Sequence, residues 1–140
     1  MITKPLFGVE INKINAPEPD KKLETKIVTP ELITYITDKI VREINPKQII
    51  MFGSRARGES KDDSDIDLFV VQDSSIPNKF VRRKIERLMW GRRFGLDLIV
   101  LTPAEVDLNL NDNNPFFTKH IYKYGRKLYE RPTELAPNNA

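Results

Sequence analysis

Three short apolar runs constrain this chain most: Gln48-Ile49-Ile50-Met51-Phe52, Asp65-Ile66-Asp67-Leu68-Phe69-Val70-Val71 and Leu96-Asp97-Leu98-Ile99-Val100-Leu101. Each is too short for a core helix, and each is rich in the branched side chains that suit buried strands. The stretches around them have helical period. Thr29-Pro30-Glu31 opens a helix with a capping hydroxyl, a proline suited to the first position and an acid at the positive end of the dipole. Leu32, Ile36, Ile40 and Ile44, with Ile33 and Val41 beside them, form its buried stripe, and Asn45-Pro46 ends it. A second helix is predicted over Pro77–Trp90, with Val81, Ile85, Leu88 and Met89 on one face. Thr102-Pro103-Ala104-Glu105 is a capping-box sequence that starts a short helix. Asn114-Pro115 begins a last one bearing Phe117, Ile121 and Tyr124 and closed by Gly125, and Lys127-Leu128-Tyr129 adds an edge segment. Helices alternating with strands predict one α/β (α+β) sheet domain.

The flanks read differently. Residues 1–28 lack sustained periodicity and are interrupted by Pro5, Pro17 and Pro19, which predicts an extended arm with one short strand near Leu6-Phe7-Gly8-Val9. The domain is expected over 29–130, followed by a flexible polar tail over 131–140. With 140 residues the chain has the size of one ordinary domain. The absence of cysteine excludes disulfides and thiolate zinc sites. No apolar run approaches the roughly 20 residues of a membrane-spanning helix, and the first residues lack a secretory signal, so a cytoplasmic protein is expected.

The chemistry lies in Gly53-Ser54-Arg55-Ala56-Arg57-Gly58 and the two later strands. A glycine directly after a buried strand lets backbone amides approach a phosphate closely. Ser54 offers a hydroxyl, and Arg55 and Arg57 offer forks suited to phosphate oxygens. Asp65 and Asp67 stand two apart, so both leave one face of their strand, while Ile66, Leu68 and Val70 leave the other to pack on helices. Neighbouring carboxylates repel, by about 4 kcal/mol at 4 Å and an effective dielectric near 20. A divalent cation removes that cost. Asp97 stands alone in an otherwise apolar strand, so it reads as buried and in need of a partner, which a shared metal would supply. Three carboxylates and a phosphate-binding turn are the parts of a two-metal phosphoryl or nucleotidyl transfer site.

This pattern of Gly-Ser, a charged connection, Asp-x-Asp on a strand and a third Asp later resembles the polymerase β-like nucleotidyltransferase superfamily. The form Gly53 to Gly58 with Ser64-Asp65-Ile66-Asp67-Leu68 is most similar to its minimal nucleotidyltransferases, antitoxin-type partners of helical HEPN toxins. The resemblance runs from about Thr29 to Glu130. It implies a short mixed sheet with helices mainly on one face, Gly53 and Ser54 on the triphosphate, and Mg²⁺ on Asp65 and Asp67. Asp97 would bind a second metal and activate the acceptor hydroxyl. The implied reaction moves a nucleoside monophosphate, AMP from ATP first among the candidates, to a tyrosine of a HEPN partner. The rivals are an antitoxin that acts by occlusion alone, or a transferase for a small molecule or RNA. Because little sequence follows the matched core, the acceptor is expected on another molecule.

Two other motifs fail. The glycine spacing of Gly53 to Gly58 fits a P-loop, but Glu59 stands where lysine must be. Asp63, Asp65 and Asp67 imitate the start of an EF-hand, but Leu68 replaces its glycine and Ser74 its glutamate. Arg82, Arg83, Lys84, Arg87, Arg92 and Arg93 read first as a solvated face that complements the helix dipole, and second as a surface for RNA or an acidic partner, with nucleic acid not favoured. His120, Tyr122, Tyr124 and Tyr129 read as surface or packing residues, one tyrosine being a possible automodification site.

Overall fold

Thr29 starts the first long helix as its sequence requires: its Oγ1 accepts from the Leu32 amide at 3.1 Å, and Pro30 takes the first position. This helix, α1 (Pro30–Ile44), buries Leu32, Ile36 and Ile40 and stops at Asn45, whose left-handed backbone turns the chain into β1 (Gln48–Phe52). A single helical turn, α2 (Gly53–Ala56), follows directly, then β2 (Ile66–Val71), α3 (Asn78–Leu88) and β3 (Leu96–Leu101). Next come α4 (Pro103–Asn111), a π-helix (Phe116–Lys123) and β4 (Arg126–Glu130). The computed structural model describes residues 18–133.

The four strands form one sheet in the order β3-β2-β1-β4. β1 runs antiparallel to both β2 and β4, while β2 and β3 are parallel, joined by the α3 crossover. The sheet is therefore mixed, as expected. Met51 faces Leu68 and Leu68 faces Leu98 in register, so Ile49, Met51, Ile66, Leu68, Val70, Leu98 and Val100 share one core with α1 and α3. The opposite face is covered at one end only: Ile50, Phe52, Phe69 and Val71 pack under Val106, Phe117 and Ile121 of α4 and the π-helix. Register carries that face on to Asp67 and Asp97, where it opens to solvent. No described helix is long and apolar enough to cross a membrane.

Several expectations shift. Residues 18–28 are docked rather than extended. Leu23, in a 3-10 turn over Lys21–Leu23, is 0% exposed in the main core. The Asp20 carboxylate accepts from the Tyr35 hydroxyl at 2.6 Å and pairs with Lys39, and the Asp20 amide donates to the Trp90 carbonyl. The strand expected near Leu6–Val9 lies outside the described residues. β2 begins at Ile66, leaving Asp65 just ahead of it. The last helix has π geometry, and Gly125 is required after it, because a side-chain carbon there would collide with the Ile121 carbonyl and Ile50. In the stretch read as a tail, Arg131 is held by Asp73 at 2.8 Å and by the Asn45 carbonyl at 2.9 Å.

Candidate active site

The turn after β1 is dictated by what lies across the sheet from it. Phe52 pairs with Asp67, so the residue after Phe52 passes over the Asp67 carboxylate. That residue is Gly53, with φ +77°, and any side-chain carbon there would collide with the Asp67 carboxylate. Glycine is demanded twice, by the backbone angle and by the close approach. Ser54 follows, half-buried in the first turn of α2.

Asp67 and Asp97 are direct partners across the parallel β2–β3 pair and project side by side. Their carboxyl groups share a hydrogen bond. The Asp67 pKa is pushed up to about 6, chiefly because burial disfavours the anion, then by the bond to Asp97 and by the charges of Asp97 and Asp65; the Arg55 guanidinium opposes the rise. Asp65 is exposed and lies against Gly95, where a side-chain carbon would also collide with its carboxylate. Gly95 escapes a sequence reading because a lone glycine ahead of a strand resembles any turn residue.

Asp97 corrects an expectation. It is exposed, not buried. An apolar strand reads as covered on both sides, but the covering helices stop short of this end. The two arginines assigned to phosphate oxygens are turned elsewhere. Arg55 Nη2 donates to the carbonyl oxygens of Ser64 (2.7 Å), Lys61 (3.1 Å) and Asp62 (3.4 Å), clamping the loop that ends at Asp65. Arg57 Nε pairs with Glu59 at 3.1 Å. His120 is exposed and lies against Phe116, 6.2 Å between ring centroids. Tyr122 packs on Phe69 and donates to Gln48, its hydroxyl pKa raised by burial. Tyr124 is exposed and Tyr129 packs on the main core.

Among the described residues, no group of three or more His, Cys, Asp or Glu side chains is arranged to hold a metal. What converges is the Asp67–Asp97 pair, with Asp65 close enough to be felt as charge. The donor chemistry fits a hard divalent cation: oxygen ligands on a solvent-open face, one with its pKa raised by burial and by a neighbouring carboxylate whose repulsion a cation would relieve.

The family model described as Polymerase beta, Nucleotidyltransferase matches residues 34–134. A protein of Methanocaldococcus jannaschii, provisionally named a protein adenylyltransferase, is 27% identical over 110 residues, covering 72% of this chain and 74% of that protein. The crystal structure of a provisionally assigned nucleotidyltransferase from Sulfolobus solfataricus is 27% identical with a TM-score of 0.50, covering 72% of this chain and 79% of that one. A toxin–antitoxin structure with AMP-PNP is 19% identical with a TM-score of 0.45, over 70% of this chain and 73% of that one, too distant to bear on function.

Proposed function

Because the chain belongs to the polymerase β nucleotidyltransferase family, we propose that it transfers AMP from ATP to a tyrosine of a HEPN toxin, which is thereby silenced. The observation that carries the reading is the Asp67–Asp97 pair, in register on an open sheet face with Gly53 folded over Asp67. The Methanocaldococcus relative's provisional name favours adenylyl transfer to a protein. The HEPN partner is argued from the Gly53-Ser54 and Asp65-x-Asp67 motif pattern alone.

In this reading the amides of the Gly53-Ser54 turn and the Ser54 hydroxyl bind the triphosphate. Asp65 and Asp67 would hold Mg²⁺ and Asp97 a second ion, and the bound cations would neutralise charge on the phosphate oxygens. Asp97, the more exposed of the pair, takes the proton of the acceptor hydroxyl. The hydroxyl oxygen forms a bond to the α-phosphorus, the α–β phosphoanhydride bond breaks, and pyrophosphate leaves with the electron pair. Arg55 holds the Lys61–Ser64 loop, and through it Asp65, in place.

The test is mass spectrometry of a purified helical HEPN-domain protein incubated with this chain, Mg²⁺ and each NTP in turn. One AMP added to a tyrosine, and none with Asp67→Asn, is the expected result. An unmodified partner that is nonetheless neutralised would replace transfer by occlusion.

A further inference from the structure

The segment 78–94 holds seven basic residues and one acid, a net charge of +6, whereas the whole chain carries +3. The rest of the chain is thus net negative by three. All the excess positive charge sits on α3 and its exit.

Helix physics does not account for this. A cation near a helix C-terminus is favourable, which suits Arg87, but Lys79 stands in the first turn, where the dipole disfavours it and no acid offsets it. Lys79 and Arg83, and Arg83 and Arg87, are like charges four residues apart, a spacing that destabilises a helix. The one acid, Glu86, reaches Arg82 only at 3.8 Å. Lys79, Arg82, Arg83, Lys84, Arg87 and Arg93 are all exposed.

Aromatic rings are interleaved with these charges. Phe80 is 46% exposed, with Lys79 and Arg83 over its ring at 5.3 and 5.4 Å. Trp90 is 53% exposed and borders an open depression of about 530 Å³, lined by Pro19, Glu24 and Met89–Phe94. Successive turns of α3 place cations about 5.4 Å apart along the axis. Exposed cations with an exposed ring toward each end, Phe80 and Trp90, suit the phosphates and bases of a flexible strand. An acidic protein surface would use the charges but leave the rings without stacking partners.

We propose that the exposed face of α3, continued through Trp90, Arg92 and Arg93, binds single-stranded RNA. The site needs neither nucleotide nor metal, so it stands independently of the transfer reaction. The crossover returns α3 toward the start of β3, so the track runs to the end of the sheet that bears Gly95 and Asp97.

The test is fluorescence anisotropy of a labelled single-stranded RNA with the whole chain across a salt series, without nucleotide or metal. With about four phosphates held, log K against log salt should have a slope of about −3. Lys79→Gln/Arg83→Gln/Arg93→Gln should weaken binding at least about tenfold and flatten the slope by about 2. Lys26→Gln/Lys47→Gln/Lys127→Gln, which removes equal charge elsewhere, should bind as wild type does. Thermal melts of both variants check that each remains folded. Equal losses in the two variants, or none in the first, would overturn the assignment. So would displacement of the RNA by oligoglutamate at equal concentration, which would make the face one for acidic proteins.

Discussion

Asp67 keeps a proton at a pH where an isolated aspartate has lost it, and the sign of that shift fixes two pH dependences. Its folded pKa is about 6, against an ordinary value of 3.8. Stability from this group is therefore fully present below about pH 4 and is lost as pH rises through about 6. Relative to Asp67→Asn, the metal-free wild type should lose stability across that window in denaturant titrations; a difference that does not change with pH would contradict the assignment. Mg²⁺ binding should behave oppositely, strengthening up to about pH 6 and levelling above it, because the cation displaces the proton. Arg55 supplies a second residue-scale prediction. Lysine cannot reproduce the bonds to Lys61, Asp62 and Ser64, so Arg55→Lys should cost about 1–2 kcal/mol and lower kcat with little change in the KM for ATP. A raised KM with kcat intact would make Arg55 a phosphate ligand after all.

Elements were legible in the sequence where their causes are local. β3 and the Thr102–Glu105 capping box fall where the residues put them, since apolar run and cap are complete within a few positions. The Gly53 turn and the two strand-borne carboxylates were equally readable. What escaped depends on distant partners. The π-helix rests Phe116 and Phe117 on Phe52 and Phe69, partners far off in sequence, the loop use of Arg55 follows from carbonyls six to nine residues away, and the exposure of Asp97 from helices that end too soon. The docked 3-10 turn was hidden for the same reason: Leu23 has no periodic neighbours to announce it. Leu23→Ala should cost about 2–5 kcal/mol in denaturant unfolding, as for other fully buried leucines. A loss under about 0.5 kcal/mol would show that residues 18–28 do not belong to the core.

At the scale of the molecule, two surfaces differ sharply. One sheet face is sealed by α1 and α3; the other is sealed at one end and open over Asp67 and Asp97. The seal supplies rigidity, and the opening is where a nucleotide and an acceptor from another molecule would meet. In the proposed reaction these carboxylates repel one another without a cation, and a cation with its nucleotide relieves that repulsion. The direct measurement is thermal unfolding of wild type and Asp67→Asn with Mg²⁺ and a non-hydrolysable ATP analogue, together and separately. At a hundredfold excess over Kd, binding to the folded state is worth about 2.7 kcal/mol, a shift of several degrees for a domain of this size. Wild type should show that shift most strongly with both ligands present. Asp67→Asn should match or exceed the ligand-free stability of wild type and lose most of the shift. A variant less stable than wild type by about 1 kcal/mol or more, with its shift intact, would contradict the account.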